Sequence, residues 1–529
     1  MDSARSRARL FEGPFWFALP VLAALVWRLD FLVDDAFISY RYGRHLADGL
    51  GLVWNPGESP PVEGFSNFLW TLLCAGLELA GLAPELWTRI LGAAAAAATV
   101  AFVVRLVQVR VAREVWTTRL AALLAASFAP FAAWATGGLE TMAFTLAVFA
   151  TFERLLADRE RPSAITAALW ASAAVLLRAD GFVWVSIALF AAWTSAPGSR
   201  ELRRALLCVG GAALATALLY LAFRWNYFES LQPNTARVKV AFGAKYLVRG
   251  AQYVASLCLC VVSIPLVLGG AAVRARRDAS GVVVPCLAFV ASAFAYLVVL
   301  GGDWMMYYRM AVPVLPFVAV LAGAWFATMR TNLTRAPIGV ACAALAALPA
   351  FEVHVVPQSV RELAHFRWSQ GFRSEHAMWQ KGVVDIRDWM EIGRALAVHT
   401  KPGESMVIGN IGAFGYYPAD LVIYDTQGLT NHEPLLPDDP KAREMPGHDR
   451  KVVIQEFEKY RPTYLTARIV DSRTPWVILS KNWQDVGPDG SIIGPNATAN
   501  ELYEFDLEAL DPAQGFRENT ALLLIRFRR

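Results

Sequence analysis

Apolar stretches long enough to cross a bilayer recur along the first 350 residues, at 13–29 and then at about 87–104, 120–136, 139–153, 163–178, 181–196, 205–223, 248–271, 281–300, 310–329 and 336–351. They predict about eleven transmembrane helices. Arg5, Arg7 and Arg9 precede the first run, but no small-residue cleavage site follows it, so it reads as a retained helix. Every second loop is rich in arginine: Arg105/Arg110/Arg113/Arg119, Arg154/Arg159/Arg161, Arg200/Arg203/Arg204, Arg274/Arg276/Arg277 and Arg330/Arg335. The positive-inside rule makes these loops, and the N-terminus, cytoplasmic. An odd number of spans then puts the C-terminal part outside. The alternation holds only if 68–82 does not cross, so that segment is expected to lie as a short helix at the outer surface.

Beyond Glu352 polar residues and Pro-Gly pairs replace the apolar runs. Segments 406–409 and 421–425 read as short strands flanking a Gly-rich turn at 410–415. The expected architecture is a polytopic α-helical membrane domain over 1–352, with 32–86 as its first outer loop and surface helices. An extracytoplasmic soluble α/β domain follows over 353–529.

Composition narrows the class. The 529 residues are 56% hydrophobic and only 18% charged, and their mean hydropathy is +0.38. A soluble multidomain enzyme, a disordered chain, a collagen and a coiled coil are all excluded on these grounds. The net charge of +4 is a difference between two halves. Residues 1–350 carry 29 Lys and Arg against 20 Asp and Glu, whereas 351–529 carry 20 against 25. No basic face suited to nucleic acid is present. Cys74, Cys208, Cys258, Cys260, Cys286 and Cys342 sit in apolar stretches without metal-site spacing and read as small buried hydrophobes.

The unusual polar residues gather in the loops opposite the arginine-rich ones. Asp34-Asp35 directly after the first span is costly to hold at a membrane edge, where a low-dielectric boundary raises the proton affinity of a carboxylate. The pair could merely cap the following helix, but four more polar loops converge on the same face, which favours function. These are Gly137-Gly138-Leu139-Glu140, Arg178-Ala179-Asp180, 232–245 with Asn234, Arg237, Lys239 and Lys245, and 302–309 with Asp303, Trp304 and Arg309. The basic 232–245 loop breaks the positive-inside rule, and an anionic lipid phosphate would use such charge. Arg178-Asp180 could equally be a boundary ion pair and Arg309 a snorkelling side chain. Glu140 could be a helix N-terminal carboxylate, and His432 a solvated loop histidine. A transporter would place charge near the bilayer midplane between two similar halves, and neither is visible. P-loop, GxSxG and HExxH motifs are absent. No cofactor is required, and the spacing of the Asp pair gives no support to a divalent cation.

The islands DDAFISYRYGRHLADGLGLVWNPGE, VEGFSNFLWT, TGGLET, LRADG, QPNTARVK, GGDWMMYYR and IYDTQGLTN resemble the GT-C glycosyltransferases. Among these they are most similar to the mycobacterial terminal β-(1→2)-arabinofuranosyltransferases. The resemblance covers islands of 30–310 and 405–432. It implies a donor of the decaprenyl-phospho-arabinofuranose kind and an acceptor hydroxyl on an envelope glycan or surface protein, in a bacterial cytoplasmic membrane. It makes Asp34 or Asp35 the base and assigns the donor phosphate to Arg178, Arg237, Lys239 and Arg309. Tyr40, Arg41, Glu63, Asn67, Glu140, Asp180, Asn234, Asp303, Trp304 and His432 would contact sugar or acceptor. A GT-C enzyme with a hexose donor shares all these features; a flippase of lipid-linked sugar would move the lipid without transfer.

Overall fold

The computed structural model describes residues 13–112, 114–157, 162–239, 243–275, 281–435, 446–447, 452, 454–473 and 503–527. Arg5, Arg7, Arg9, Arg113, Arg159, Arg161, Arg276 and Arg277 lie outside them.

Among the described residues five helices are long and apolar enough to cross a bilayer: Pro84–Val111, Arg200–Phe228, Val283–Leu300, Met306–Phe326 and Asn332–Phe351. Ala244–Cys260 and Ser263–Val273 pass the same test as a pair, bent by 91° at the break between them. Pro14–Arg28, Ala164–Leu177 and Gly181–Trp193 are apolar but shorter. The chain is a multi-pass membrane protein. The stretch expected at 120–136 resolves into Val115–Ser127 and the short Ala129–Ala133, with Pro130 starting the second piece where its missing N–H does no harm. Arg178-Ala179-Asp180 separates helices of 14 and 13 residues, at the break expected between 163–178 and 181–196.

Segment 68–82 forms a helix, Phe68–Leu79, of 12 residues, well below the roughly 20 needed to span. It packs closely on Asp34–Ala47, where a Cβ at Gly43 would stand 2.9 Å from the Ala75 amide nitrogen and from Cys74 Cβ. The bundle core is small-residue and aromatic, with Phe317 set edge-on between Phe149 and Phe152 at 5.1 and 4.9 Å. Arg200–Phe228 turns Leu207, Leu218, Leu219 and Trp225 outward, as a helix facing lipid does. Cys208 is exposed on it, unlike the buried Cys74, Cys260, Cys286 and Cys342.

Past the last bundle helix, Glu375–His399 starts at Ser374, whose Oγ accepts from the Ala377 amide at 3.1 Å. Strands Ser405–Ile408 and Val422–Asp425 pair in parallel, Ser405 opposite Val422. The Gly-rich stretch between them is a helix, Ile411–Tyr416, rather than the expected turn. Parallel neighbours need a crossover, and a helix supplies it. Strands Thr466–Asp471, Tyr503–Ala509 and Thr520–Phe527 form an antiparallel sheet with Thr520–Phe527 in the middle. Tyr464 links the two sheets by bonding on both sides of Met406. This α/β region is laid onto the polar end of the bundle. Asn55 bonds both the N–H and the C=O of Ile423, at 2.9 and 3.0 Å, as a neighbouring strand would.

Candidate active site

A cavity of about 730 Å³ opens at the polar end of the bundle, and each of the five polar loops contributes to its wall. Asp35 and Asn67 come from the first loop, Glu140 from the second, and Arg178 and Asp180 from the third. Arg237 and Lys239 come from the fourth, and Asp303, Trp304 and Arg309 from the fifth. Leu429, Pro446 and Gly447 of the C-terminal region close one side. Residues far apart in sequence thus meet because each sits where a bundle helix starts or stops.

The adjacent aspartates have divergent surroundings. Asp34 turns toward the C-terminal region, where its Oδ2 and Oδ1 accept from the Gly412 and Ala413 amides at 3.1 and 2.9 Å. It thereby satisfies the open end of Ile411–Tyr416. Asp35 faces the cavity, with Lys239 Nζ 3.2 Å from its Oδ2. The helix Asp34–Ala47 advances about 100° per residue, so neighbouring side chains point to different walls.

Three further charge clusters line the cavity. Arg309 donates to Glu140 Oε1 at 2.7 Å and to Thr141 Oγ1 at 3.1 Å. Asn67 donates to the other Glu140 oxygen at 3.0 Å and accepts from Ser39 and Thr71. Glu140 is therefore fully engaged. Arg178 forms a two-point pair with Asp180 at 2.8 and 3.1 Å, and Trp184 and Tyr296 both donate to the same carboxylate at 3.0 Å. Asp180 is consequently held below the usual carboxylate range, since these partners outweigh its burial. The second terminal nitrogen of Arg178, Nη1, is buried and has no hydrogen-bond partner among the described residues. Asp303 accepts from the Met305 amide at 3.3 Å through Oδ1, while Oδ2 is buried with no hydrogen-bond partner among the described residues. Burial pushes its carboxyl upward against the pull of Arg309 and Lys239. An unmatched guanidinium nitrogen and an unmatched carboxylate oxygen leave a donor and an acceptor for a polar occupant. Tyr307 and Tyr308, with φ of 52° and 51°, hold the turn between Trp304 and Arg309 in the left-handed region, at roughly 1–2 kcal/mol each.

Six of the expected site residues do not line the cavity. Tyr40 is buried, bonded to Thr88 Oγ1 at 2.7 Å and to the Gly138 carbonyl at 3.3 Å. Arg41 is buried and gives its donors to the carbonyls of Trp54, Gly415, Pro418 and Leu421. Glu63 is enclosed with Arg224 and Tyr220, at 2.8 and 2.6 Å. Asn234 donates to the carbonyls of Gly428, Leu429 and Asn431. His432 bonds the Pro60 carbonyl at the surface. With Asp34, these residues brace the cavity or fasten the C-terminal region to the bundle. Arg224, Tyr296 and Thr235 do line it and were not among the expected residues. Arg224 carried a usable signal, being a charge that follows the long apolar stretch 205–223 of its helix. Among the described residues no group of three or more His, Cys, Asp or Glu is placed to hold a metal.

Two buried carboxyls make stability depend on pH. Burial lifts Asp34 from 3.8 to about 7 despite its amide partners, with Asp35 adding repulsion. Burial lifts Asp425 from 3.8 to about 7 against its bonds from Gln427, Leu429 and Thr430. Each group binds its proton more tightly folded than unfolded. Their stabilising share is complete below about pH 4 and is lost as the pH rises through about 7. The thermal midpoint in detergent is expected to fall between about pH 4.5 and 7.5, and Asp34→Asn should make that fall shallower. An unchanged slope in the variant would show that Asp34 titrates normally.

The fold defined by these elements, an α-helical membrane bundle with a C-terminal α/β region, is shared with solved structures of low sequence identity. ArnT from Cupriavidus metallidurans bound to undecaprenyl phosphate superimposes over 96% of this chain and 97% of its own, with a TM-score of 0.58 at 12% identity. The apo form of the same protein covers the same shares, with a TM-score of 0.55 at 14% identity. The mycobacterial arabinofuranosyltransferase AftD aligns with 97% of this chain and 40% of its own at 14% identity, and its TM-score is 0.48. A family model described as a domain of unknown function, DUF8728, matches residues 376–505. No curated protein sequence matches the chain.

Proposed function

We propose that the protein is a membrane glycosyltransferase that takes a sugar from a polyprenyl-phosphate donor and passes it to an acceptor hydroxyl. The observation that carries this reading is the meeting, in one cavity, of Asp35 with Lys239, Arg178 and Arg309. In a polyprenyl-phosphate sugar the leaving group is a phosphate already, so departure needs cations rather than a general acid. Arg178, Lys239, Arg309 and the more exposed Arg237 supply them. The bond from the anomeric carbon to the phosphate oxygen breaks and its electron pair leaves with the lipid phosphate. The acceptor oxygen bonds that carbon and its proton passes to Asp35. Lys239 pairs with Asp35; donor phosphate draws that ammonium toward itself and frees the carboxylate. Asp303, Trp304 and Asn67 are placed to meet sugar or acceptor. The likeness to ArnT, whose structure holds undecaprenyl phosphate, supports the lipid carrier.

D-arabinofuranose is the proposed sugar, resting on the DDAF and GFSN islands. A hexose such as mannose is the second reading, since no cavity residue separates the two. The acceptor is an envelope glycan or a surface protein. The proposed setting is the bacterial cytoplasmic membrane, with residues 1–352 as the membrane unit, the N-terminus inside, and the cavity and 353–529 outside. The test is transfer by the purified full chain in nanodiscs, supplied with decaprenyl-phospho-arabinofuranose or polyprenyl-phosphomannose and an acceptor glycan. Released lipid phosphate and glycosylated acceptor should appear together with one donor. Lipid movement without either product would overturn the reading in favour of a flippase.

A further inference from the structure

The loop that carries Asp303, Trp304 and Arg309 into the cavity is gripped from behind by two residues that take no part in the chemistry above. Arg367 and Glu375 lie beyond the last bundle helix, are nearly fully buried, and pair at 2.8 and 3.0 Å. Neither pairs only with the other. Arg367 Nε donates to the Trp304 carbonyl at 2.8 Å and its Nη2 to the Met305 carbonyl at 3.0 Å. Glu375 Oε2 accepts from the Tyr307 amide at 2.7 Å. The donors and the acceptor thus hold the backbone leading into the stretch where Tyr307 and Tyr308 are left-handed. Such a conformation persists in bulky residues only where the surroundings over-determine it, and these three bonds act there together with the Trp134 bond to the Met306 carbonyl and the Tyr307 hydroxyl bond to the Pro349 carbonyl.

We propose that Arg367 and Glu375 are positioning residues for the cavity. Through the backbone at Trp304, Met305 and Tyr307 they fix where Asp303 and Arg309 stand, so that the chain beyond the bundle sets the geometry of the site. The consequence for turnover rests on the reading of the cavity as a donor site. An ordinary buried ion pair would need only opposite charges. A positioning pair needs a donor fork at 367 and an acceptor at 375.

Hydrogen exchange of the full chain in detergent, together with binding of undecaprenyl phosphate, tests this. Glu375→Ala should raise amide exchange at 305–308 by about tenfold or more while helix Asp34–Ala47 exchanges as before, and should weaken lipid-phosphate binding by about tenfold. Glu375→Gln keeps a carbonyl oxygen for the Tyr307 amide and should fall between wild type and Glu375→Ala. It carries the same two readouts if the alanine variant does not fold. The double exchange Arg367→Glu with Glu375→Arg restores opposite charges but sets a donor against the Tyr307 N–H, so it should stay as open as Glu375→Ala. Wild-type exchange at 305–308 in Glu375→Ala, or recovery of both readouts in the double exchange, would overturn the proposal. Should the wild type bind undecaprenyl phosphate and the loop behave as stated while no sugar is transferred, the glycosyltransferase reading fails and the positioning role stands.

Discussion

Asp35→Asn is expected to lower sugar transfer by about 10²- to 10⁴-fold, the range for removing a general base. The substitution keeps the size of the side chain and one oxygen, so the helix start and the cavity wall should hold their shape. Only the capacity to take a proton is lost. A base acts in the transition state alone, so kcat and kcat/KM should fall together while affinity for the lipid phosphate changes little. Asp34→Asn makes the informative contrast. Both oxygens of Asp34 are engaged by the Gly412 and Ala413 amides, so its loss should loosen the C-terminal region and reduce thermal stability more than turnover. The checking measurement is release of polyprenyl phosphate from a labelled donor by each variant. Transfer by Asp35→Asn within about twofold of wild type would exclude it as the base.

That contrast marks where the sequence stopped being informative. Two adjacent carboxylates after a first span were legible as unusual, and so was the gathering of polar loops on one face. Loop position relative to the spans is set by hydropathy, which sequence carries directly. The roles within the pair were not legible, because they follow from the helix that starts at Asp34 and from amides almost 380 positions away. Arg41, Asn234 and His432 were misplaced for the same reason. Arg41 and Asn234 bond backbone carbonyls of the C-terminal region and His432 bonds the Pro60 carbonyl of the first loop, and a carbonyl leaves no trace in the sequence. The stretch read as one run at 120–136 is instead broken near Pro130 into two helices, because the interruption comes from the backbone chemistry of proline, which hydropathy does not register. Arg367 and Glu375 could not have been singled out at all, since charged residues in a polar region look solvated until the fold encloses them.

The same region that covers the cavity is held by one side chain above all, and this yields the second large effect. Arg41→Met should destabilise the folded chain by at least about 3–5 kcal/mol. Arg41 is fully buried and its fork reaches four carbonyls: Trp54 at 2.9 Å, Pro418 at 3.2 Å, Leu421 at 2.8 Å, and Gly415. Its plane also covers the Trp54 ring at 4.8 Å. Burial lowers the proton affinity of the guanidinium to about 9, so it keeps its charge near neutral pH. Methionine fills similar space and leaves all four acceptors without a donor. Lysine should rescue little, because one ammonium cannot reach carbonyls arranged around a planar fork. The thermal midpoint in detergent should drop sharply for both variants, and limited proteolysis should open near residues 411–425 before the bundle is cut. Because Arg41 does not line the cavity, any protein that remains folded should still bind undecaprenyl phosphate. A folded Arg41→Met variant of wild-type stability that fails to bind the lipid would instead return Arg41 to the substrate pocket.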